Sequence, residues 1–204
     1  MNSIATNLNP ALLGLDANQA WDTELAFEHL KARGEADTKR TAERRLNALG
    51  LLPKELTEED LRDAHERPLN RLVLDWAIEQ ARKRRDRVLF AQLNALPGGQ
   101  PCLHANDARG ARFWVPLADA DDATVLAALN TLQRHVGKPI AVLPHGALVA
   151  ALRNTPSTQD IQLCPQAYRP VLAPGLSLNR AARTDLPASP HLKRLEAESI
   201  HILR

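Results

Sequence analysis

The side chains best equipped for chemistry in this sequence are cationic. Lys83, Arg84 and Arg85 stand together with Arg82 and Arg87 beside them, and a second run joins Lys39 and Arg40 to Arg44 and Arg45. On a helix, positions 83, 84 and 87 share a face, and cations arrayed this way attract phosphate in a salt-sensitive manner. If the two helices lie side by side, Lys39, Arg40, Arg44, Lys83, Arg84 and Arg87 form one surface for DNA or RNA. The opposing reading is a solvated helix face whose cations pair with acids such as Glu79 and Asp86. Residues 1–96 hold 15 Lys and Arg against 16 Asp and Glu, so this half has no excess positive charge to draw a polyanion.

Three smaller groupings each allow a functional and a structural reading. Asp119, Asp121 and Asp122 follow a predicted strand, where carboxylates often gather around a divalent metal. They also stand directly before a predicted helix, where Asp is a preferred cap and first-turn residue. No further acid or histidine recurs at a spacing that completes a coordination sphere, so capping is expected and no metal is assigned. His145 and Gly146 follow an apolar run at the place where open sheets present ligand groups, and a helix start there could hold an anion; a simple turn is the expectation. Cys102 and His104 are expected in a loop, with no third partner to make a nucleophile and base. The sequence holds no phosphate-binding loop, dinucleotide fingerprint, paired-cysteine zinc motif or nucleophile elbow. No catalytic residue and no cofactor is assigned.

The elements that must position these residues divide the chain in two. In the first half, Asp16 is expected to cap a helix running to about Arg33 with Gly34 as its stop, and Asp37 to cap a second ending at Gly50. Thr57 followed by Glu58, Glu59 and Asp60 reads as a third start, and Pro68 as the first position of a long helix over residues 69–96, with Leu72 and Trp76 among its apolar residues. Residues 1–96 thus predict a helical bundle. In residues 105–165, Arg112 to Leu117 and Ile140 to Leu143 read as strands, residues 123–136 and 147–152 as helices, which predicts a small α/β unit. Residues 166–190, with five prolines from Pro165 to Pro190, read as a linker or extended arm. The whole is expected to be α+β and mainly helical.

Composition narrows the function classes. With 204 residues and 44% hydrophobic content the chain can bury a core. Seven aromatic residues in all (Phe 3, Trp 3, Tyr 1) are few for a protein that stacks on bases. No segment approaches the roughly 20 apolar residues of a membrane span, and residues 1–10 lack the basic and apolar regions of a secretory signal. Two distant cysteines fit a reducing compartment, so a cytoplasmic location is expected.

The last residues carry a different signal. Residues 191–204 form an amphipathic pattern, with Leu192, Leu195, Ser199 and Ile202 on one helical face. The run Leu195, Glu196, Ala197, Glu198, Ser199, Ile200, His201, Ile202, Leu203, Arg204 closely resembles the first helix of the sulfate adenylyltransferase small-subunit family, in the phosphoadenosine-phosphosulfate reductase group. In that family the helix precedes a strand and a glycine-rich loop that grips the pyrophosphate of ATP. The resemblance covers about 15 residues and stops before that loop, so it implies no site residue here. It implies an accessory or scaffold region that recruits a protein partner, joined to such a domain. The alternative is a nucleic-acid-binding subunit of a nucleoprotein or defence assembly.

Overall fold

The computed structural model describes residues 19–164, all within one compact unit, Met1–Arg169. Its centre is a six-stranded mixed sheet in the order β1-β4-β3-β2-β5-β6. The strands are β1 (Trp21–Asp22), β2 (Arg87–Ala95), β3 (Pro101–Asn106), β4 (Arg112–Pro116), β5 (Ile140–Pro144) and β6 (Ile161–Leu163). β2 pairs antiparallel with β3 and parallel with β5, so it lies at the middle and joins an antiparallel half to a parallel half. The helices are α1 (Thr23–Ala32), α2 (Lys39–Ala48), α3 (Arg71–Arg84), α4 (Asp122–Val136) and α5 (Ala147–Leu152).

The expected mainly helical bundle is therefore corrected to an α/β fold. The physical reason lies in residues 85–106. The run Leu89, Phe90, Ala91, with Val88 partly buried before it, is buried on both sides of a central strand, and such a continuous apolar run has the same hydrophobic signature as a buried helix segment. Arg85 ends α3 in the left-handed region at φ 64°. Glycine is the usual residue there, so nothing in the sequence marks the stop. The segment around Cys102 and His104, expected as a loop, is β3.

Alternation across the strands sorts the core into layers. Leu89 and Ala91, Leu103 and Ala105, Phe113 and Val115, Ile140 and Val142 face α4 and α5, where Val125, Leu129, Leu132, Leu148 and Leu152 meet them. On the opposite face, α1 and α2 bring Phe27, Leu30, Ala42 and Leu46 against Cys102 and Trp114. Beside them, α3 brings Leu74, Ile78 and Ala81 against Phe90, Ala141 and Leu143. Each fully buried leucine contributes roughly 2 kcal/mol relative to exposure.

The helix starts agree with the expected caps at some positions and differ at others. Asp121 caps α4, accepting from the Thr124 amide at 2.7 Å, with Asp122 in the first turn, as expected from the aspartate cluster. α1 is capped by Asp22, and α2 by Thr38 rather than Asp37. Pro68 forms an isolated bridge with Arg62, and Asn70 caps α3. No helix starts at Thr57. Its amide and hydroxyl both donate to the Asp60 carboxylate, at 2.9 and 2.7 Å, closing a turn that competes with a helical cap for the same residue types. The proline-rich stretch 166–190 and the amphipathic stretch 191–204 lie outside the described residues.

Candidate functional site

Polar residues on the sheet are the first place to look for chemistry, and here most are engaged by the chain itself, although Asn94 Nδ2 and His104 Nδ1 are buried with no hydrogen-bond partner among the described residues. Residues 51–56 cross the face of the sheet between the α1–α2 and α3 clusters, and a strip of polar side chains holds them there. His104 donates its Nε2 proton to the Leu51 carbonyl at 3.2 Å. Asn106 accepts from the Leu56 amide at 2.9 Å and donates to the Leu56 carbonyl at 2.8 Å, in the manner of a strand neighbour. Gln92 donates to the Lys54 carbonyl at 3.2 Å, and Arg112 pairs with Glu55. His104 and Asn106 are both buried. Burial pushes His104 down to about 4, against which its backbone hydrogen bonds act weakly, so it is neutral near pH 7.

Cys102 and His104 share this strand face, but Cys102 is fully buried and its thiol is pushed well above its usual range by burial. A thiol so raised and so enclosed is not a nucleophile.

His145 sits at the end of β5, where its Nδ1 accepts from the Arg62 amide at 3.0 Å while the Gly146 amide donates to the Arg62 carbonyl at 3.0 Å. Beside it, Asp63 is the anchor of its own loop. Its carboxylate accepts from the His65 and Arg67 amides at 2.8 and 2.9 Å and from Arg67 Nε at 2.7 Å. Burial alone raises the Asp63 carboxyl, yet these donors outweigh it and hold it down to about 2. The C-terminal end of β5 is thus occupied by the chain itself. Among the described residues no group of three or more His, Cys, Asp or Glu is arranged to hold a metal ion.

The six cations expected to form one basic surface fall in two places. Lys39, Arg40 and Arg44 are on α2, which packs on α1. Lys83 and Arg84 end α3, and Arg87 opens β2. Four of the six are paired: Lys39 with Glu24, Lys83 with Glu79 at 2.8 Å, Arg84 with Asp86 at 2.9 Å, and Arg87 with Asp107. Arg87 Nε and Nη2 both donate to Asp107 Oδ2, at 3.0 and 2.7 Å, and its guanidinium lies 4.9 Å from the Phe113 ring centre. Asp107 Oδ1 accepts from the Arg109 and Ala111 amides, each at 2.9 Å. Burial would raise the Asp107 carboxyl, and these donors hold it below its usual value instead. The pair therefore fixes the β3–β4 turn.

What the polar groups lack, the outside of α3 supplies. Leu72 and Trp76, one turn apart, are 80% and 60% exposed, while Leu74 and Ile78 of the same helix are buried. Leu69 and Val73, half-buried, continue the apolar surface toward α5. Trp21 and Trp114 are buried, so Trp76 is the one tryptophan of the three that solvent reaches. Both are among the apolar residues expected of a long helix; a helix with apolar residues on more than one face gives no signal of which is covered. Among the described residues no helix is long and apolar enough to cross a membrane. No protein-family model, curated protein or solved structure matches the chain.

Proposed function

We propose that this chain is an accessory module that recruits a protein partner, and that the outer face of α3 is where the partner docks. The carrying observation is the exposure of Leu72 and Trp76 side by side on a regular helix whose inner face is already packed. Tryptophan is enriched among the residues that dominate binding energy, and helix residues one turn apart form a compact anchor for a groove. Arg71, which joins Glu58 and Asp75 at 3.1 Å each, supplies a polar rim at one end. The resemblance carried by residues 195–204 gives the partner its class: an adenylyl-transferring, sulfate-activating domain. The alternative reading, nucleic-acid binding through helix faces, keeps only Arg40 and Arg44 of its six cations without an ion pair among the described residues.

The test uses Trp76 as its own reporter. A purified sulfate adenylyltransferase small-subunit domain is titrated into the full chain while iodide quenching of tryptophan is followed. Protection of Trp76 that saturates, and that is lost in Leu72→Glu, supports the reading. Unchanged quenching at all concentrations, or binding indifferent to Leu72→Glu, overturns it.

A further inference from the structure

A second feature lies at the opposite end of the sheet from His145, where α3 finishes and β2 and β5 begin. A pocket of about 370 Å³ opens there, within the size range of small-molecule sites. Ile78, Val88, Phe90 and Ala108 supply its apolar lining, and Arg82, Arg109 and Lys138 join it from α3, the β3–β4 turn and the loop before β5. The acids in the lining, Glu58, Asp86 and Asp107, are each engaged by an arginine: Arg71 at 3.1 Å, Arg84 at 2.9 Å and Arg87 at 2.7 Å. Arg82, Arg109 and Lys138 have no acidic partner among the described residues.

A cation in the last turn of a helix, as at Arg82, is favoured by the helix dipole whatever else is present. Lys138, directly after the Gly137 cap of α4, stands at a helix C-terminus in the same way, whereas Arg109 has no such reason to be there. The hairpin that presents Arg109 is tightly held: Asp107 accepts from its amide, and Gly110 at φ 85° completes the turn. The pocket shares Glu58, Phe90, Asp107 and Ala108 with an adjoining hollow of about 430 Å³. That hollow contains Glu59, exposed and with no ion pair among the described residues, and Arg71, whose charge is taken up by Glu58 and Asp75. One end of the combined space therefore attracts anions and the other hydrogen-bond donors.

We infer that this space binds a nucleotide-sized ligand, with its phosphates at Arg82, Arg109 and Lys138, its ring against the apolar lining of Ile78, Val88 and Phe90 and its donor groups toward Glu59. Guanidinium and ammonium groups bind phosphate through charge-assisted hydrogen bonds, strongest where the site is partly enclosed. A nucleic-acid strand carries phosphate along its whole length and meets repulsion at the glutamate end. A mononucleotide has phosphate at one end only, which matches the charge arrangement. This site adjoins the docking face of α3 at Arg71, which lines the hollow and pairs with Glu58, but it uses neither Leu72 nor Trp76, so either reading can fail without the other.

The experiment is calorimetric titration of the chain with a panel of nucleoside di- and triphosphates, inorganic pyrophosphate and a 20-nucleotide single strand. At least one nucleotide should saturate at one per chain and bind more tightly than pyrophosphate. The double variant R109E/K138E, both positions exposed and with its melting temperature checked, should weaken that binding by at least about tenfold. R40E/R44E, on α2, should leave it unchanged. The inference is overturned if no nucleotide saturates at millimolar concentration, or if R40E/R44E weakens binding as much. Tighter binding of the single strand than of every nucleotide, lost in R109E/K138E, also overturns it and assigns the cations to a nucleic-acid backbone.

Discussion

Two regions of this molecule invert the usual placement of residue types, and they do so for different reasons. Beneath residues 51–56, polar side chains are inside: His104 and Asn106 are buried and spend their hydrogen bonds on the backbone that crosses them. On the outer side of α3, large apolar side chains are outside, with Leu72 and Trp76 facing solvent. The first inversion is largely satisfied within the chain, because Asn106 and His104 Nε2 have backbone partners and only His104 Nδ1 of these groups is buried without one among the described residues. The second is incomplete, because nothing among the described residues covers it. An internally satisfied oddity speaks of stability, and an unsatisfied one of a partner.

Asn106→Leu should break the first region most severely. It keeps the branched shape but leaves the Leu56 amide and carbonyl unpaired in a buried place, at a cost of about 3 kcal/mol. Chemical denaturation measures this; a loss below about 1 kcal/mol would mean that water replaces the amide.

The pH dependence comes next. His104 titrates at about 4 in the folded chain against an ordinary 6.5. Unfolding therefore takes up a proton within that window. The stability due to this residue is full above pH 6.5 and falls as pH drops toward 4, by about 3 kcal/mol at the low end. His104→Gln, which keeps a donor near the Leu51 carbonyl and cannot titrate, should flatten the melting curve between those pH values. Asp63, held at about 2 against 3.8, adds a further loss only as pH falls below 3.8. Asp63→Ala should cost about 2 kcal/mol at neutral pH, moderated because Arg67 is 43% exposed in its side chain. That is measured by the same denaturation.

The smallest effect on stability belongs to the second region. Leu72→Glu and Trp76→Glu should each change stability by no more than about 0.5 kcal/mol, since neither side chain is buried. A large loss would show that α3 needs these residues for its own packing and would remove the contrast on which the docking proposal stands.

How far the sequence revealed this architecture varies with the physics of each segment. α4 was legible because its signals agree: Asp121 before an apolar period and Gly137, at φ 73°, after it. β4 and β5 were legible as β-rich or short apolar runs between turn residues. β2 was not, because a strand buried on both faces lacks alternation, and because a non-glycine residue, Arg85, supplies the helix stop. The same misreading hid the site. With β2 read as helix, Arg87 fell on a helical face beside Lys83 and Arg84, although it belongs to a strand and pairs with Asp107 from the far end of β3. Arg109 and Lys138 attracted no attention because each is a lone cation in a loop; only the pairing of β2 with β3 and β5 brings them near Arg82. Leu72 and Trp76 were visible as apolar helix residues, but exposure depends on which face the sheet covers.

The most direct test of the central claim is iodide quenching of tryptophan fluorescence, first in the free chain and then with the partner domain. Trp21 and Trp114 are buried, so a single quenchable component is expected from Trp76, and it should disappear as the sulfate-activating domain saturates the chain. If Trp76 is already shielded in the free chain, or stays quenchable when the partner is in excess, the outer face of α3 is not where this protein binds.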